Sequence, residues 1–226
     1  MPDVGYPTIY RETRQRLSEF ARDLGDASRT PAPSCPGWTV HDVCSHLVGI
    51  IADIQAGRME GVGSDEWTLA QVTARRDRPI AEVIDEWDAI APAFEAQVAG
   101  WPGTVAAQLV ADCSMHELDV RNAVGDTGAR DTDGVRTAIS HYSNGLAERI
   151  AAAGLGPIAL HAGDEIVVIG DDEPVISVAA TWFEISRALS GRRSTDQIKA
   201  YGWDRDADAY VALFGAHGNR QEALVE

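Results

Sequence analysis

The chain has 226 residues, with 19 basic against 35 acidic side chains and a formal charge of −16 at pH 7. A surface this acidic repels nucleic-acid phosphates and anionic lipid head groups, and the densest run of cations, Arg75, Arg76 and Arg78, is interrupted by Asp77. Hydrophobic residues make up 45% and charged residues 24%, ordinary globular usage in a chain long enough for two modest domains. No apolar run approaches the ~20 residues a bilayer demands. Met1 to Tyr10 lacks a basic segment followed by an apolar one, so a cytoplasmic protein without a secretory signal is expected.

Helical periodicity opens at Tyr6 and runs to Leu24, with Leu17, Phe20, Ala21 and Leu24 on one face. A loop rich in Pro, Ser and Gly leads to a second helix whose start is marked by Thr39 as N-cap and Asp42 three residues on, a capping-box pattern. Trp38 and Val43 are placed as a hydrophobic staple, and Leu47, Ile50 and Ile54 continue the apolar face. Residues 57–77 read as a polar connection. A third helix from about Asp77 carries Ile80, Val83, Ile84, Trp87, Ile90, Phe94 and Val98, and Pro92 inside this stripe predicts a kink or a break. Helix four runs from about Thr104 to Val124 with Gly125 as its stop, and helix five from Asp133 to Ala153. Beyond Gly154-Leu155-Gly156-Pro157 the segments are short and β-branched: strands over 158–161, 165–169 and 175–178, a helix over 180–189, a strand near 197–200 and a last helix over 206–214. The expected architecture is α+β in two domains, an up-down helical bundle over residues 1–155 and a small α+β domain over 156–226.

Asp112 and His116 are four apart and share a helix face, with Asp119 on the same side. Spacing alone favours a structural contact between them. His46 adjoins the apolar stripe of the second helix, and an imidazole near a bundle core needs a partner for each nitrogen. That partner is either a carbonyl or carboxylate of a neighbouring helix, or a metal ion shared with the other residues. Two imidazoles and a carboxylate suit zinc or a similar first-row ion, and three protein ligands leave coordination positions open. The three cysteines, Cys35, Cys44 and Cys113, lack paired spacing and read as reduced thiols, two of them filling the core, Cys113 included. His41, at the second position of its helix, is expected to face solvent or contribute to the cap, and His141 to be structural. His161 and His217 have no partner at informative spacing.

The run Cys35-Pro36-Gly37-Trp38-Thr39-Val40-His41-Asp42-Val43, leading into His46-Leu47, resembles the opening motif of the mycothiol-dependent maleylpyruvate isomerase family. The N-terminal domain of that family is similar to DinB-like four-helix bundles. Asp112-Cys113-Ser114-Met115-His116-Glu117-Leu118-Asp119-Val120 resembles its second metal-binding segment, and Ala188 to Arg193 through Tyr201-Gly202-Trp203 its small α+β C-terminal domain. The resemblance implies a divalent metal, usually zinc, held by His46, Asp112 and His116. Asp112 stands where the family typically has Glu, one methylene longer. It further implies mycothiol as co-substrate, whose metal-activated thiolate adds to a small electrophile such as maleylpyruvate and leaves again after bond rotation. Attack on another electrophile would make the protein an S-transferase. A C-terminal arginine is implicated in holding the anionic substrate, and Arg192, beside Arg193, is assigned that part. The implied partners are small molecules, with the protein a monomer or homodimer. Two other classes stay open: a metal-dependent hydrolase with Asp119 or Glu117 as base, and a non-catalytic metal- or ligand-binding module.

Overall fold

The structure, a computed structural model, describes residues 5–226; the first four residues, part of the stretch read for a leader, lie outside it. Capping chemistry fixes where its second helix begins. Thr39 Oγ1 accepts from the Asp42 amide at 3.2 Å while Asp42 Oδ2 accepts from the Thr39 amide at 2.9 Å, so both halves of the capping box form. The helices of the N-terminal unit are α1 (Tyr6–Arg22), α2 (Val40–Gln55), α3 (Asp65–Thr73), α4 (Ile80–Val98) and α5 (Gly103–Ala123). α1 packs against α4 and α5, and α2 against the same pair, which closes four helices around one core. Tyr10, Leu17, Val43, Ile84, Trp87, Phe94 and Val110 are buried there. At about 1.5–3 kcal/mol for each large apolar side chain removed from water, these contacts and not helix propensity hold the unit together.

Two elements differ from expectation. α4 is continuous through Pro92, because that residue lies on the exposed side of the helix, where water can reach the carbonyl that loses its amide partner. The polar connection contains a helix, α3, capped by Ser64 Oγ, which accepts from the Trp67 amide at 3.2 Å, with Asp65 and Glu66 in its first turn. α3 packs on α2. Gly49 makes that approach feasible: a Cβ at position 49 would lie 2.4 Å from the Gln71 Cβ.

Packing divides the chain between Ala129 and Arg130, whereas the sequence placed the boundary near residue 155. α6 (Asp133–Ala152) therefore groups with the C-terminal unit, packing on α7 (Trp182–Leu189) and β2 (Glu165–Ile169). The sheet has the order β2-β1-β3-β4: β1 (Ile158–Ala162) is antiparallel to β2 and parallel to β3 (Ile176–Ala179), and β4 (Gly202–Trp203) is antiparallel to β3. The strand expected over 197–200 is instead the helix α8 (Thr195–Lys199), because Ser194 and Gln197 form a second capping box. The last helix, α9 (Asp208–Val211), is shorter than expected. Arg187 and Arg193 are buried and share the carboxylate of Glu226, at 2.9 Å from Arg187 Nε and 2.6 Å from Arg193 Nη1. Arg193 also grips Glu184 through both carboxylate oxygens, at 2.6 and 2.9 Å. Among the described residues no helix is long and apolar enough to cross a membrane.

Candidate metal centre

α2 delivers His46 and α5 delivers Asp112, His116 and Asp119 to one place in the N-terminal unit. One ligand atom from each of His46, Asp112 and His116 lies within 4.8 Å of the others. The imidazoles of His46 and His116 meet edge to face with centroids 5.5 Å apart, and Trp38, just before the α2 cap, packs on His46 at 5.3 Å. His116 stands between two carboxylates, with Nε2 3.5 Å from Asp112 Oδ1 and Nδ1 3.0 Å from Asp119 Oδ2. Asp119 is fully buried. It fits the part of an outer residue that fixes the orientation of a ligating imidazole.

The electrostatics suit a cation. Burial opposes the charged form of His116, yet Asp112 and the hydrogen bond to Asp119 outweigh it and push the group up to about 10. On His46 burial prevails and lowers it, favouring the neutral form that a metal ligand must have. Asp112 Oδ2 is buried without a hydrogen-bond partner. A buried acceptor left unmade costs on the order of 1–3 kcal/mol, more when charged, and a divalent ion would satisfy it. The donor set of two nitrogens and a carboxylate oxygen therefore fits a zinc-like ion.

A second group, Cys35, His116 and Asp119, also brings its ligand atoms within 4.8 Å. Its members already satisfy one another, with Cys35 Sγ 3.3 Å from Asp119 Oδ2 and 3.9 Å from His116 Nδ1. Asp119 thereby accepts from both neighbours, and the group has no counterpart of the orphaned Asp112 oxygen.

The remaining sequence candidates sort by their partners. His41 is buried, not solvent-facing: Nε2 donates to the Arg78 carbonyl at 2.8 Å and Nδ1 accepts from Ser45 Oγ at 3.3 Å. Glu117 is buried in ion pairs with Arg16, at 2.6 Å, and Arg121, at 3.1 Å. His141 stacks edge to face on Tyr142, and His161 lines an open cleft of the C-terminal unit with Trp182 and Phe183. Arg193 is a structural residue, held by Glu184 and Glu226; Arg192 donates from Nη1 to the Ser190 carbonyl at 3.0 Å. The sequence reading missed Gln71, whose Oε1 lies 2.9 Å from His46 Nδ1.

The thiols give a direct check on this packing. Burial pushes Cys44 up to about 12 and raises Cys113 likewise, while Cys35 is partly exposed. Iodoacetamide should alkylate the folded protein at Cys35 first, and peptide mass spectrometry reads the site. Modification of Cys44 or Cys113 before unfolding would contradict the packing of α2 and α5.

Fold and site define a class: a helical bundle with a two-histidine, one-carboxylate cluster, followed by a small α+β unit. Residues 10–121 match the family described as the mycothiol maleylpyruvate isomerase N-terminal domain, and that stretch of the chain belongs to this family. A crystal structure of mycothiol-dependent maleylpyruvate isomerase aligns with a TM-score of 0.58 over 83% of this chain and 88% of that one, at 11% identity. A histidine-to-alanine mutant of that enzyme aligns with the same TM-score over 88% and 91%, at 10% identity. These likenesses show a shared fold. No curated protein matches the sequence.

Proposed function

We propose that the protein is a divalent-metal-dependent, thiol-using enzyme of the mycothiol-dependent maleylpyruvate isomerase kind, with His46, Asp112 and His116 as metal ligands. The observation that carries this reading is the convergence of one ligand atom from each of His46, Asp112 and His116, together with a buried Asp112 oxygen, Oδ2, that has no hydrogen-bond partner. A bound zinc-like ion supplies the positive charge that favours the thiolate form of a small thiol. The chain's own residues prepare the place. Asp119 holds the proton on His116 Nδ1, which leaves Nε2 to coordinate. Trp38 closes one side of His46 with an apolar edge. Arg192 is the group we assign to a substrate carboxylate, a bidentate pairing suited to guanidinium. Isomerase and S-transferase chemistry share this first step. The hydrolase reading is weakened, since both of its bases are engaged, Glu117 by arginines and Asp119 by His116.

The test is an assay of the zinc-loaded protein with mycothiol and maleylpyruvate, following appearance of the trans isomer by chromatography. Turnover should need both zinc and the thiol. Turnover of the same substrate without any thiol would overturn the reading, and so would a zinc-loaded protein that shows no heat of mycothiol binding by calorimetry.

A further inference from the structure

We propose that Gln71, on α3, determines which nitrogen of His46 is left to coordinate, and so acts as a positioning residue for the candidate metal centre; the proposal rests on the metal-site reading above. The structure shows a chain of polar contacts running inward from the surface. Arg58 Nε donates to Asp53 Oδ1 at 2.8 Å, Gln71 Nε2 donates to Asp53 Oδ2 at 2.8 Å, and Gln71 Oε1 lies 2.9 Å from His46 Nδ1. Each link has only one polarity. A carboxylate paired with arginine accepts and cannot donate, so the amide of Gln71 must turn its NH2 toward Asp53. Its carbonyl oxygen then faces His46, and the nitrogen opposite it must carry the proton. A neutral imidazole protonated on Nδ1 has its lone pair on Nε2, which is the ligating form.

The arrangement is built rather than incidental. Gln71 is buried, and its Cβ and Cγ occupy the space above Gly49, where an added Cβ would come within 2.4 and 2.5 Å of them. Gly49 follows His46 by three residues on the same helix face, so the opening for Gln71 sits next to the imidazole it serves. His116 takes its orientation from a carboxylate and His46 from a neutral amide, so no further negative charge is added beside the two aspartates.

The experiment uses the full chain labelled with 15N in histidine. A two-bond proton–nitrogen spectrum of the metal-free protein should show His46 protonated on Nδ1, and in Gln71→Leu the proton should shift wholly or partly to Nε2. Zinc affinity, read by competition with a chromophoric chelator, should fall about 10–100-fold in Gln71→Leu, the range for residues that orient a ligand. In the double variant Gln71→Glu/Asp53→Asn the amide and the carboxylate trade places. The new amide still accepts from Arg58 and donates to the new carboxylate, which still accepts from His46 Nδ1. This pair should recover the wild-type spectrum and affinity, whereas Gln71→Glu alone sets two carboxylates side by side and should not. A role in filling space alone predicts no such recovery. Wild-type His46 protonated on Nε2, or Gln71→Leu binding zinc as tightly as wild type, overturns the proposal. If Gln71→Leu fails to fold, the wild-type spectrum and the double variant still decide. A wild-type protein that binds no zinc sinks the metal-site reading instead, while the tautomer spectrum continues to judge the part given to Gln71.

Discussion

His116→Ala should leave the purified protein without stoichiometric zinc. The wild-type chain, with two imidazoles and one carboxylate converging, should retain roughly one equivalent. His116 is the hub of the cluster, reaching Asp112 through Nε2 and Asp119 through Nδ1. Its removal takes away one ligand of three and one of the donors to the buried Asp119 carboxylate, so the loss of affinity should exceed the ~100-fold upper range for outer residues. Asp119→Asn should fall inside the range of about 10–100-fold, and Asp112→Asn should cost more than Asp119→Asn. Metal analysis and chelator competition read all of these. Unchanged zinc content in both His46→Ala and His116→Ala rejects the ligand set. The metal-free protein carries a second signature. Because His116 is raised above its ordinary 6.5 to about 10, its contribution to stability is complete below pH 6.5 and disappears as pH rises through about 10. The alanine variant should lose that slope in urea titrations.

Glu226→Ala should be the most damaging single change in the C-terminal unit. Its carboxylate is the shared partner of Arg187 and Arg193, and all three side chains are almost completely buried, at 0%, 0% and 2% exposure. Removing it takes a charged partner from both buried arginines, of which Arg193 keeps Glu184, and breaking a buried pair costs about 3–5 kcal/mol. A surface ion pair in the same protein, such as Arg205 with Asp204, should cost less than ~1 kcal/mol when broken. Thermal unfolding followed by near-ultraviolet circular dichroism separates the two. A Glu226→Ala melt that overlays the Arg205→Ala melt would show that the arginines find water or other partners at no cost.

The parts of this protein legible in its sequence are those whose cause is local. Thr39 and Asp42 make both of their capping bonds three residues apart, and so declare the start of α2 without tertiary help. Asp112 and His116 sit one turn apart on one face for the same reason. α3 was missed because its residues form no apolar stripe and it is held by packing on α2 through the space above Gly49. Ser64, followed by Asp65 and Glu66, was the available signal. The Ser194–Gln197 box was equally available at α8. Gln71 could not have been found this way, since it meets His46 across 25 residues and nothing local distinguishes it. His41 misled for a related reason. A helix's second position is often exposed, but here the Arg78 carbonyl covers it from the start of the next long helix.

The placement of α6 has a practical side. The glycine-rich stretch at 154–157 is the tempting place to cut the gene, since composition changes there. A fragment ending at 155 would carry α6 away from α7 and β2, the elements of its own unit that it packs against. Val135, Ile139, Leu146 and Ile150, all buried in the whole chain, would then be left for water or for another polypeptide to cover. Such a fragment invites insolubility for reasons unrelated to the metal cluster, and the remaining piece would begin at a sheet stripped of one covering helix. A cut between Ala129 and Arg130 keeps α6 with α7 and β2.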